Sequence, residues 1–145
     1  MFEISDFYHY CKQHDVDVIP YDGCPKEGAT IRDDGFYAVF LDFTKIKSTR
    51  LLRGVCYHEL GHVATGALHK VDSPYELAER SEYRANRWAA ETFLTEEAFR
   101  EAFSAGFTEL WQLEEYFDLP EGDICVALNY WKNSRSIDFT KQETE

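Results

Sequence analysis

His58-Glu59-Leu60-Gly61-His62 lies inside a run, residues 49–68, in which Leu52, Cys56, Leu60, Val63 and Ala67 recur at three- and four-residue steps. That spacing predicts one helix with an apolar stripe able to bury against a core. The two histidines fall off the stripe, and because residues four apart share a helical face, both imidazoles can reach a single ion. Glu59 stands one position round from His58, which aims its carboxylate beside such an ion, where it can take a proton from water. HExxH on a helix is the signature of a zinc hydrolase; a chance match on a surface helix is the alternative that the rest of the chain must exclude. Gly61 weakens a helix relative to Ala, so it signals either simple tolerance or the close approach of another backbone or a substrate.

Two histidines leave a catalytic zinc short of a ligand, because such sites use three protein donors and keep one place open. His69 would give HExxHxxxGxxH, one residue longer than the metzincin pattern, and the insertion rotates the last His off the metal. A solvated His near a helix end is the simpler account of it. Cys24 stands in Asp22-Gly23-Cys24-Pro25, which does not match the Cys motif of the deformylases, so a turn Cys without a metal role is expected. Glu79 and Glu82 lie on the next predicted helix, residues 75–94. There Glu82, Ala85, Asn86, Ala89 and Phe93 share one face, which sets a lone carboxylate on a small and apolar surface. An ion held by the two histidines of a facing helix would satisfy that carboxylate. Glu79, one turn earlier and beside Arg80, is explained by a solvated ion pair. Glu82 is therefore the favoured third ligand.

His58-Glu59-Leu60-Gly61-His62 followed by Glu82-x-x-Ala85-Asn86-x-Trp88-Ala89-Ala90 resembles the ImmA/IrrE family of zinc metallopeptidases. The likeness extends from the strand-like Ala38–Asp42 to the helical pair near Trp131. It implies one Zn2+ per chain on His58, His62 and Glu82, with Glu59 catalytic. It also implies a protein substrate, a helix-turn-helix transcriptional repressor of a phage, mobile element or stress regulon. The chain departs from the family pattern at Arg84, where relatives carry an acidic or amide residue, at Trp88, where they carry Phe, and at Gly66, where they carry a further His. The rival expectation is a regulatory protein that keeps the metal site and docks a repressor without cutting it; an intact Glu59 favours the enzyme.

At 145 residues, 44% of them hydrophobic and 16% aromatic, the chain can bury one sizeable core and scarcely two. No stretch approaches the roughly 18 apolar residues of a membrane span, and the N-terminus lacks the basic-then-apolar pattern of a signal peptide. A cytoplasmic protein is expected. Cys11, Cys24, Cys56 and Cys125 are widely separated and form no CxxC pair, so free thiols in a reducing compartment are expected rather than a disulfide framework. With 15 basic residues against 27 acidic, for a net charge of −12, the chain is poorly suited to hold DNA or an anionic membrane. That charge serves solubility, or attraction toward a basic partner.

No internal repeat or long linker divides the chain. Residues 2–14 read as a helix through Phe2, Ile4, Phe7, Tyr8 and Cys11, Val16–Tyr21 as a strand ended by Asp22-Gly23, and 36–43 as a second strand of a small sheet beside the zinc helix. An edge strand of such a sheet could align an extended peptide. Thr95 is the expected N-cap of a helix that Gly106 ends, and Thr108 of the next. Residues 109–117, a turn at Leu119-Pro120-Glu121-Gly122 and residues 122–132 form a helical pair resembling the helix-turn-helix-like tail of the family. Its second helix offers only Lys132 as a cation, too little for a recognition helix, while Ile124, Val126, Ala127, Leu128 and Trp131 point to packing or to partner docking. The expected fold is α+β: a small sheet packed on the zinc helix and on a second, ligand-bearing helix. It comprises a metallopeptidase domain over 1–106, a helical extension of it over 107–133 and a disordered tail over 134–145. Tyr57, Tyr83, His69 and Tyr75 are the candidates to stabilise the oxyanion.

Overall fold

The computed structural model describes residues 1–66 and 75–141, with side chains in the second stretch described from residue 78. Among the described residues the elements run α1 (Ile4–Gln13), β1 (Asp17–Pro20), β2 (Gly28–Asp33), β3 (Phe36–Leu41), α2 (Thr49–Thr65), α3 (Tyr75–Phe93), α4 (Glu96–Ser104), α5 (Leu110–Phe117) and α6 (Glu121–Arg135). The chain is α+β, as its sequence predicts.

The HExxH helix α2 starts where the Ser48 hydroxyl accepts the Leu51 N–H at 3.0 Å, satisfying one of the free donors of a helix N-terminus. It ends at Thr65 rather than at residue 68, because Gly66 turns into the left-handed region at φ 64°, a conformation glycine adopts without a Cβ clash. Ala67 and His69 lie outside the described residues. Cys56, Leu60 and Val63 of the apolar stripe are buried, so the helical spacing reads the inward face correctly.

The sheet has the order β1-β3-β2, with β1 parallel to β3 and β2 antiparallel to it. This corrects the sequence expectation, in which residues 36–43 supply the second strand. They form the third strand, at the centre, and the edge next to α2 is β2, which the periodicity of residues 28–33 does not reveal. The cause is a two-residue turn at Asp34 and Gly35, both at positive φ (48° and 81°). An Asp-Gly pair favours that geometry, and it folds β2 back on β3.

In the second half, the Thr95 hydroxyl accepts the Ala98 N–H at 3.1 Å, the cap that the sequence predicts. Thr108 does not cap α5. Glu109 does, in a capping box with Gln112, whose side-chain oxygen accepts both the Thr108 and Glu109 N–H groups at 3.0 Å. Helix α6 continues past residue 132 to Arg135, and the expected disordered tail does not begin at 134. Ile137 and Phe139 pack on the core cluster, Phe139 lying 5.2 Å from Phe99 and 6.0 Å from Phe103 between ring centroids, with the Arg100 guanidinium 5.7 Å from its ring. An aromatic contact so near the end of the chain outweighs the polar composition around it.

Helices α5 and α6 place Leu113, Phe117, Ile124 and Ala127 in the same buried cluster as Phe7, Val39, Leu60 and Phe99. Two buried charges fasten this core. Arg53 of α2 donates from Nη1 to Glu3 Oε2 at 2.9 Å, from Nε to the Asp118 carbonyl at 2.7 Å, and from Nη2 to the Phe2 carbonyl. It thereby ties the N-terminus and the α5–α6 turn to one helix. Asp42, after β3, accepts the backbone N–H groups of Gly23, Cys24 and Thr44 at 3.0–3.2 Å. The Thr44 hydroxyl above all holds its carboxyl below the ordinary carboxylate range, with burial opposing and the Gly23 and Thr44 amides and Lys45 assisting. Among the described residues no helix is long and apolar enough to cross a membrane.

Candidate metal centre

His58 and His62 stand one turn apart on α2, and Glu82 comes from α3, which packs across it. Their donor atoms converge. The two Nε2 atoms are 3.2 Å apart, His62 Nε2 is 3.1 Å from Glu82 Oε1, and His58 Nε2 is 3.4 Å from Glu82 Oε2. Donors bound to a tetrahedral zinc at ordinary bond lengths lie about 3.3 Å from one another, so these three separations match the edges of such a tetrahedron with its fourth corner free. Among the described residues this is the group of His, Cys, Asp and Glu side chains able to hold a metal. Cys24 is not part of it: it sits in the turn held by Asp42, as a structural Cys would. Glu79 is exposed, lining a separate shallow hollow with Arg80, Tyr83 and Arg84.

Gly61 is what lets Glu82 arrive. A Cβ at this position would lie 2.6 Å from the Ala85 carbonyl oxygen and 3.3 Å from Ala85 Cβ. The α3 backbone thus rests directly on α2 three residues beyond Glu82, which selects the close-approach reading of Gly61 over tolerance. Two of the departures from the family pattern, Arg84 and Gly66, sit at the end of α2, and the third, Trp88, packs elsewhere. Arg84 donates to the Thr65 carbonyl at 3.2 Å, at the end of α2. Trp88 packs edge-on against Tyr10 and Phe93, and Gly66 forms the left-handed end of α2.

The metal group opens into a cleft of about 490 Å³. Its floor is the face of α2 carrying Leu51, Gly54, Val55, His58, Glu59 and His62, with Gly28, Ala29 and Thr30 of β2 on one flank and Glu82, Pro120 and Asp123 also lining it. His62 and Glu59 are buried, whereas the His58 and Glu82 side chains keep 36% and 39% of their exposure, so a ligand can approach from the open side. The Thr30 hydroxyl donates to Glu59 Oε2 at 2.5 Å, fixing one carboxylate oxygen of a residue that lines the cleft.

Thr30 and Asp123 are the residues that sequence reasoning misses. The signal for Thr30 was the Asp34-Gly35 turn, which implies a strand before it. Nothing in the sequence marks Asp123, whose carboxyl burial pushes up to about 7. Of the oxyanion candidates, Tyr57 is buried against Phe2, with its phenol pushed up by burial, and is not a lining residue of the cleft. Tyr83 turns to Ser134, their hydroxyls 2.9 Å apart. His69 and the Tyr75 side chain lie outside the described residues.

The family model described as Peptidase_M78, the IrrE N-terminal-like domain, matches residues 11–129. No curated protein and no solved structure gives a significant match.

Proposed function

Because the chain belongs to the peptidase family of the IrrE N-terminal-like domain, we propose that it is a zinc-dependent endopeptidase in which His58, His62 and Glu82 hold the metal and Glu59 moves the protons. The observation that supports this most is the tetrahedral spacing of the three donor sets beside a buried carboxylate in one cleft. Bound there, zinc would supply a Lewis acid that polarises a scissile carbonyl and acidifies water toward neutral pH. Glu59 does the proton work. With Oε2 held by Thr30, Oε1 is the oxygen that accepts a proton from the attacking water and returns it to the leaving amine, so the base is regenerated in each cycle. The open edge of β2 suits an extended peptide laid along α2, since strand addition reads backbone rather than sequence.

The substrate in this reading is a helix-turn-helix repressor, cut in a flexible segment, because a folded helix or sheet does not offer its carbonyls at about 3 Å. The compartment is the cytoplasm, which suits four free cysteines. The α5–α6 pair, likened to a helix-turn-helix, serves packing or partner docking: Ile124, Ala127 and Trp131 are buried, and Lys132 is paired with Asp138. With a net charge of −12, the isolated protein should show no salt-sensitive retention of a DNA duplex. The test of function is co-expression with a candidate helix-turn-helix repressor, taken from the gene's neighbours or from proteins that co-purify with it. A discrete truncated repressor that disappears with Glu59→Gln supports the peptidase. A stable complex with the repressor uncut replaces it with the docking protein.

A further inference from the structure

We infer that Asp123 is a cation-recognising subsite of the cleft, so that the preferred substrate carries a lysine or arginine side chain within two residues of the scissile bond. The inference rests on the peptidase reading above and narrows its substrate class.

Asp123 lies in the first turn of α6 and lines the same cleft as His58 and Glu59. Asp123 is partly buried, among the described residues no hydrogen bond or ion pair meets its carboxylate, and burial raises its pKa. A partly desolvated carboxylate is disfavoured in its charged form, and a cation brought by a ligand offsets that cost. Its position is fixed by close packing. A Cβ on Gly54 would lie 2.5 Å from Pro120 Cγ and 2.8 Å from Asp123 Oδ2, so the start of α6 is seated on α2 where α2 has no side chain. Gly54 precedes His58 by one helical turn, which displaces Asp123 about 6 Å along α2 from His58, the nearer of the two proposed histidine ligands. An extended peptide advances about 3.3 Å per residue, so a side chain one or two positions from the reacting carbonyl arrives at Asp123.

The charge of the cleft selects the sign of that side chain. Among its lining residues Lys26 is the one Lys or Arg, against Glu27, Glu59, Glu82 and Asp123. Glu59 and Glu82 are committed to proton transfer and metal, which leaves Glu27, before β2, and Asp123; of these, Asp123 is the one seated on Gly54 at the floor of the cleft, one helical turn before His58. The overall charge of −12 draws basic segments toward it.

The zinc-loaded full chain is incubated with a peptide library made from a digested proteome, and the new termini are read by mass spectrometry for wild type, Asp123→Asn, Asp123→Glu and Asp123→Lys. Wild type should enrich Lys and Arg within two residues of the cut. For peptides resynthesised with norleucine in place of that residue, the ratio of rates should fall about tenfold or more in Asp123→Asn, be kept in Asp123→Glu, and turn toward acidic peptides in Asp123→Lys. No enrichment in wild type, or enrichment that survives Asp123→Asn, overturns the proposal. Binding separates it from the peptidase reading. Fluorescein-labelled Arg and norleucine versions of one peptide are titrated against the Glu59→Gln protein, which keeps Asp123. Arg binding about tenfold tighter, even where wild type cuts nothing, sustains the subsite while the peptidase fails. Equal binding overturns the subsite whatever wild type cuts.

Discussion

Arg53 and Glu59 stand on the same helix and are equally buried, each with 6% of its surface exposed, yet their surroundings are opposite. Arg53 is saturated: its guanidinium meets Glu3, the carboxylate and carbonyl of Asp118, and the carbonyl of Phe2. Among the described residues Glu59 has a single hydrogen-bonding side chain, Thr30, and it lines the cleft. A buried charge whose donors are all met inside the protein holds elements together. One left partly unmet is poised for a ligand or a proton. One helix thus carries an architectural end and a chemical end.

The comparison breaks most visibly at Glu59. Glu59→Gln keeps the shape but cannot serve as base, so hydrolysis should fall on the order of 10²–10⁴-fold, while zinc content and melting temperature stay at wild-type values. A melting curve lowered as far as that of an Arg53 variant would make Glu59 part of the architecture as well.

Arg53→Ala is the opposite test. It strands the Phe2 and Asp118 carbonyls and unties two segments from α2, at a cost of about 3 kcal/mol. The melting temperature should drop by roughly 10 °C for a chain of this size. The protein that remains folded should still cut at the wild-type rate per bound zinc. Unchanged melting would show that the saturated cluster is dispensable.

The convergence of His58, His62 and Glu82 was legible in the sequence and the setting of Arg53 was not, for physical reasons. Metal chemistry restricts residue types and spacing, so His58, Glu59 and His62 announce themselves, and a carboxylate on the small face of α3 has few other uses, which singles out Glu82. Arg53 carries no such signature. Its partners lie 50 and 65 residues away, and a charged residue midway along an amphipathic helix reads as solvated. The same holds for Asp123, whose meaning depends on Gly54 of another element. Strand β2 was hidden because its residues, Gly28-Ala29-Thr30-Ile31-Arg32-Asp33, show no alternation; turn chemistry at Asp34-Gly35 was the available clue. Gly61 was legible as an anomaly, and only the Ala85 carbonyl beside it decides its cause.

Glu82→Ala sharpens the chemical end. It removes one donor of three, and zinc affinity should weaken on the order of 10–100-fold or more in a competition titration. Wild-type affinity in His69→Ala and Cys24→Ala would go with that result. Loss of metal from either of these, with Glu82→Ala fully loaded, would overturn the ligand set.

The smallest effect is expected at Thr30, where the two kinds of buried group meet. Its hydroxyl belongs to the sheet but serves Glu59, so it tests whether the base is oriented by the fold or merely contained by the cleft. Thr30→Val removes the hydrogen bond to Oε2 at nearly constant volume and leaves all three metal donors untouched. One hydrogen bond to a charged group that stays buried corresponds to about a tenfold change. The turnover number should fall by about that factor, with KM and zinc affinity unchanged, because orientation of the base matters in the transition state and not in substrate binding. Thr30→Ser restores the hydroxyl and should restore turnover. If serine fails to rescue, or if KM moves instead, Thr30 acts through the packing of β2 on α2, and Glu59 is held in place by its burial alone.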